Sequence, residues 1–130
     1  MAKKIARAER SSEKKFLGEF ELYVMLAIAR LGDGAYGGAV RREIEERASR
    51  PVAIGALYAT LERLADKGLL LFETPPPEPG QRGRARKYCH LTVAGHESLA
   101  HSAEMLRRMM DGVDWAAQKN VASQKNLARG

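Results

Sequence analysis

A single cysteine, Cys89, stands in a chain of 130 residues. It cannot close an internal disulfide, so the fold must rest on its core, and this usage fits a reducing cytoplasm. Long apolar runs are lacking too. None reaches membrane-spanning length and the N-terminus has no apolar signal core, so no membrane partner is expected. Metal ligands are sparse: Cys89, His90, His96 and His101 are the candidates. His96 and His101, five residues apart, splay by about 140° on a helix. The neighbours Cys89 and His90 point to opposite faces of a strand. No pair chelates well within one chain, so neither a metal site nor a cofactor is expected. Catalytic motifs are missing as well. There is no P-loop, no G-x-S-x-G and no acid–base or nucleophile constellation, which argues against an enzyme. Gly32, Gly34 and Gly37 do spell G-x-G-x-x-G. A dinucleotide site needs a strand before that motif, whereas residues 16–31 have a helical period. These glycines are read as a helix stop and an interhelix turn.

What is present is positive charge: 22 lysines and arginines against 16 acids, a net charge of +6 and a sequence pI of about 9.7. That balance favours a polyanionic partner. The length suits one domain with a modest core.

Residues 1–15 are mostly basic and polar, and read either as a solvated, frayed arm or as an arm adding phosphate or minor-groove contacts. A first helix spans 16–31, with Phe16, Leu17, Phe20, Val24, Ala27, Ile28 and Leu31 on one stripe. A second runs from about Tyr36 to Ala48, its mixed-charge surface reading as a solvated face with i,i+4 pairs. A third, from about Ile54 to Lys67, places Ile54, Leu57, Leu61 and Leu64 at helical spacing. Ala56, Ala59, Thr60 and Arg63 are assigned to its outer face, small enough to approach the floor of a major groove. Gly68 stops it. Leu69–Phe72 and Arg86–Leu91 read as two strands around a loop holding Pro75, Pro76, Pro77 and Pro79, four of the five prolines. Between Gly80 and His90 stand Arg82, Arg84, Arg86 and Lys87 and no acid. Thr92 is placed as the N-cap of a fourth helix. Leu99, Ala103, Leu106, Met110 and Val113 form a short heptad seam there, assigned to a second copy of the chain, with packing back onto its own domain as the alternative. Residues 114–130 read as a frayed tail, with Trp115 expected to clip onto the fourth helix, the alternative being that it lines a small-molecule pocket between subunits.

The expected fold is therefore mainly α with a small antiparallel β-hairpin. A winged helix-turn-helix domain over 16–91 precedes a dimerisation helix over 92–113. The third helix would enter a groove while the hairpin lies along phosphates.

Three stretches resemble the PadR-type transcriptional regulators: Ala35-Tyr36-Gly37 opening the second helix; Gly55-Ala56-Leu57-Tyr58 with Leu61, Arg63 and Leu64 followed by Lys67-Gly68-Leu69; and Tyr88 with Leu91-Thr92 and Gly95. The resemblance covers roughly residues 16–110. It implies a winged helix-turn-helix, a C-terminal dimerisation helix, a palindromic operator, usually repression, and in many members a small, often aromatic, effector. It also implies DNA contact by Tyr58 and its neighbours, and by the wing arginines. One departure stands out: Ala53 sits where related sequences commonly have a serine or threonine cap, a loss of about 1 kcal/mol.

The reading is a homodimeric, sequence-specific, cytoplasmic DNA-binding repressor. Thr60 and Arg63 are assigned to base edges or nearby phosphate, Tyr58 to phosphate, and Arg82, Arg84, Arg86 and Lys87 to the backbone or minor groove. Two alternatives stay open: a winged-helix protein-interaction module without DNA binding, and a metal-responsive regulator.

Overall fold

Helix α1 (Glu19–Leu31) opens where the Gly18 N–H donates to Glu21 Oε1 at 3.0 Å, satisfying an amide that the helix itself leaves unpaired. It begins at Glu19 rather than at residue 16. The computed structural model describes residues 17–80 and 86–116 of the chain. The inward stripe of α1 is Leu22, Val24, Met25, Ala27 and Ile28. Gly32 ends the helix with φ +57°, a conformation that disfavours a side chain. A short 3-10 turn (Gly32–Gly34) follows. Gly32 and Gly34 are thus a helix stop and a turn, as expected, whereas Gly37 opens the next helix.

That turn delivers Ala35 and Tyr36 to the hairpin. The Cys89 N–H donates to the Ala35 carbonyl at 2.7 Å, and Tyr36 bridges Tyr88 in antiparallel fashion. Helix α2 (Gly37–Ala48) leads on from there, burying Val40 and Ile44. Its outer face carries the expected i,i+4 pairs, Arg41–Glu45 at 3.6 Å and Arg47–Glu43. Ser49 closes it in the left-handed region, φ +50°.

Helix α3 (Ile54–Asp66) starts at Ala53 without a side-chain cap, as the departure at that position implies. Leu57, Leu61 and Leu64 pack fully into the core. At its end the Leu69 N–H donates to the Leu64 carbonyl at 2.9 Å around Gly68, whose φ is +77°. This closure is a Schellman-type stop. Strands β1 (Leu70–Glu73) and β2 (Tyr88–Leu91) then pair antiparallel, with Leu70 opposite Leu91 and Phe72 opposite Cys89. Leu70 and Cys89 face the core and Leu71 faces out, the alternation of a sheet with one covered side.

Helix α4 (Val93–Met110) is pinned at its first turn. The Thr92 hydroxyl accepts from the Gly95 N–H at 3.0 Å and donates to the Gly68 carbonyl at 2.7 Å. A Cβ on Gly95 would overlap the Leu69 carbonyl oxygen, so only glycine permits this approach. Leu99 joins the core of the chain's own fold and is not part of an outward seam, which corrects the assignment made from the heptad spacing. The correction follows from that pinned first turn, which lays the start of α4 against the core. Beyond Leu99 the helix turns apolar residues to solvent: Leu106 is 45% and Met110 50% exposed. Val113 lies past the helix end. Trp115 is 65% exposed, so the expected clip onto α4 is not formed. No helix among the described residues is long and apolar enough to cross a membrane.

Candidate nucleic-acid interface

The face of α3 turned away from the core is built from small and apolar groups. Gly55, Ala56 and Ala59 are exposed along it. Tyr58, 50% exposed, and Ile54 stand above them one turn apart. Ile54 was expected in the core stripe. It sits at the helix start, beyond the edge of the hydrophobic body, and presents its methyls outward instead. Thr60 moves the other way. It is 3% exposed, and its hydroxyl accepts from Arg63 Nη2 at 3.3 Å. The assignment of Thr60 to the outer face is therefore corrected: it stands about 60° from Leu57 on a helical wheel, inside the buried stripe. A threonine held there cannot reach a base edge.

Arg63 is half exposed, but its guanidinium is engaged within the molecule. Its Nε lies 3.3 Å from Glu21 Oε2, and Lys67 Nζ lies 3.0 Å from the same oxygen. Glu21 is buried on α1. Burial alone would push its carboxyl up. Hydrogen bonds from the Gly18 N–H, Lys67 and Arg63, with the Lys67 charge, outweigh burial and hold it below the usual carboxylate range. Arg63 and Lys67 thus tie the C-terminal half of α3 to α1. Periodicity could not reveal this tie, because it joins residues 42 positions apart.

The base of the wing lies next to the start of α2. The Arg86 guanidinium sits 4.3 Å from the centroid of the Tyr36 ring. Lys87 Nζ sits 4.0 Å from the Phe72 ring. Arg42, read from the sequence as part of a solvated face, donates from Nη2 to the Tyr36 hydroxyl at 2.7 Å. A cleft of about 320 Å³ separates α3 from this base, with Tyr36, Tyr58, Glu62 and Phe72 among its walls. Arg82 and Arg84 lie outside the described residues, as do the arm over 1–15 and the tail beyond 116.

The pairing of charges sorts the cations. Each of the other described arginines and lysines meets a carboxylate at 3.6 Å or closer. Among the described residues Arg42, Arg86 and Lys87 meet none. All three gather beside the exposed face of α3, each leaning on an aromatic ring. Exposed cations without internal acids, next to a protruding helix of small side chains, suit a polyanion with a groove.

The other polar candidates sit elsewhere. Cys89 is buried under the hairpin, and burial pushes its thiol up despite the charge of Lys87, so it stays protonated and a poor metal ligand. His90 Nε2 lies 2.9 Å from Glu73 Oε2 across the hairpin. No group of three or more His, Cys, Asp or Glu able to hold a metal occurs among the described residues.

Three helices followed by a two-stranded wing, with the third helix protruding, define a winged helix-turn-helix protein. Residues 25–101 match the model of the Transcriptional regulator PadR-like family, and the chain belongs to that family. Its members are regulators of transcription, not enzymes. A PadR-like transcription factor from Bacteroides fragilis is similar, with 28% identity, 78% of this chain and 91% of that one covered, and a TM-score of 0.59. A PadR family transcriptional regulator from Eggerthella lenta shares 25% identity over 86% of this chain and 92% of that one, TM-score 0.57. A winged-helix DNA-binding protein from STIV shares the fold at 17% identity, with 76% of this chain and 99% of that one covered, TM-score 0.62. Comparison with curated protein sequences returns no match.

Proposed function

We propose that this chain is a homodimeric repressor that binds a palindromic operator, with α3 in the major groove and the wing on the phosphate backbone. The observation that carries the reading is the gathering of Arg42, Arg86 and Lys87, without carboxylate partners among the described residues, at the edge of the exposed α3 face. Base reading falls to the N-terminal half of α3. Ile54, Ala56 and Ala59 offer methyl groups to thymine methyls, and Tyr58 reaches a phosphate or base edge. Arg63 keeps α3 seated through Glu21. Arg82 and Arg84 extend the wing along the backbone.

The dimer is formed by α4. Ala103, Leu106 and Met110 are exposed on it, and a groove of about 430 Å³ between α1 and α4 continues that surface through Tyr23, Met105 and Met109. A second copy seated there would set the two reading helices about 34 Å apart, one turn of DNA. An aromatic effector is assigned to the same groove, where Tyr23 and the two methionines offer ring and sulfur contacts.

The test is titration of a labelled duplex at two salt concentrations. The expected complex weakens steeply from about 50 to 200 mM salt. A protein-interaction module would form no salt-sensitive complex.

A further inference from the structure

Arg42 is the cation that the sequence pattern hides. It stands four residues before Glu46, at the spacing of a helical ion pair. No such bridge forms. Its guanidinium turns back to the helix start, donates to the Tyr36 hydroxyl at 2.7 Å and lies 5.9 Å from the ring centroid. Arg86, from the wing, lies over the same ring at 4.3 Å. Two elements far apart in sequence therefore place one arginine each on a single tyrosine.

We propose that Arg42, Tyr36 and Arg86 form a clamp for one backbone phosphate of duplex DNA, a subsite that rests on the DNA-binding reading above. Arg42 and Arg86 touch the phosphate, and Tyr36 is the positioning residue. The chemistry fits. Arg86, its guanidinium 4.3 Å from the Tyr36 centroid, is braced on the ring face, and Arg42, tied to the hydroxyl through Nη2, keeps further N–H groups to donate, so both can grip a phosphate oxygen. The Tyr36 hydroxyl accepts from Arg42, so its own hydrogen is left to donate to a third oxygen.

The tyrosine itself is held firmly. Its N–H donates to the Gly34 carbonyl at 3.1 Å, its backbone bridges Tyr88, and its ring meets the Tyr88 ring edge-on at 6.0 Å. Two long side chains braced on a fixed ring lose less freedom when the anion arrives. If the pair served stability alone, an acid at the right spacing would compete for Arg42. Glu46 is placed to do so and does not.

The experiment is anisotropy titration of the full chain with a labelled mixed-sequence DNA duplex, over about 50 to 200 mM salt. Arg42→Gln should lower the slope of log K against log salt by about one unit. Arg42→Lys should restore the slope while binding more weakly than the wild type. In a Tyr36→Leu background, Arg42→Gln should change affinity by a smaller factor than it does in the wild type. Circular dichroism confirms that each variant is folded. Should Tyr36→Leu not fold, the Gln and Lys variants of exposed Arg42 decide the matter alone.

A wild-type slope in Arg42→Gln, with the wild-type complex still salt-sensitive, overturns the clamp and leaves the DNA-binding reading standing. Full additivity of Tyr36→Leu and Arg42→Gln overturns the positioning role. Absence of any wild-type complex removes both readings.

Discussion

At neutral pH the Glu21 carboxylate joins two helices by accepting from Gly18 on one side and facing Arg63 and Lys67 on the other. Its carboxyl titrates below the ordinary value of 4.5 in the folded chain. The stabilisation is therefore present above that value and is lost as pH falls through the folded one. Glu21→Gln should cost about 1–3 kcal/mol at pH 7, since it leaves two cations without their acid. The gap between wild type and variant should narrow as pH falls below 4.5 and close once the pH is below the still lower folded-state value. A gap that persists there would remove the electrostatic explanation. Gly95→Ala is a steric counterpart. With no room for a Cβ against the Leu69 carbonyl, it should lower the melting temperature at every pH, by about 1–3 kcal/mol of stability. A melt equal to wild type would show that α4 can shift its first turn freely. Glu21 is not conspicuous in the sequence, and Gly95 stands out only through the family resemblance. Glu21 is one of many surface-like acids until its partners from α3 are brought to it. Gly95 follows a legible cap, Thr92, but the carbonyl it must clear comes from a turn 26 residues earlier.

The order of elements was readable because each helix carries its stripe and each stop its glycine: Gly32 after α1, Gly68 after α3. The wing was readable from its prolines and from the run of basic residues without acids. Other features were not. Ala35 and Tyr36 join the hairpin through one hydrogen bond and one bridge, too short a pairing to leave a periodic trace. A wheel sorts residues by angle alone. It therefore carries no sign that Ile54 projects past the end of the core, nor that the buried stripe is wide enough to take in Thr60. Heptad spacing in α4 marked one apolar face without saying what covers each part of it. Leu99 is covered by the chain's own fold, whereas Leu106 and Met110 remain exposed. The element-level prediction follows from that split. Leu106→Glu with Met110→Glu should leave each protomer folded and shift the sedimenting species from dimer to monomer. A double variant that still sediments as a dimer would place the subunit contact elsewhere.

At the scale of the whole molecule, the protruding helix, the basic wing and the exposed end of α4 have to work in a fixed spatial relation. α4 is locked to the turn between α3 and β1 by Thr92 and Gly95. Through that lock, the pairing of two copies along α4 would determine where the two α3 helices fall on a duplex. Sequence reasoning drew the expectation of a polyanion from charge, and the exposed helix of small outer residues from its pattern. It could not separate cations committed to internal acids from those left for a ligand, because Arg41 and Arg42 are neighbours, each with an acid four residues on, and only Arg41 pairs with it. The most direct measurement is a hydroxyl-radical footprint on a duplex selected by the purified protein from its source genome. The expected result is two protected patches on one face of the DNA, centred about 10 base pairs apart. A single patch, or a duplex left uniformly open to cleavage at saturating protein, would contradict a paired winged-helix reader.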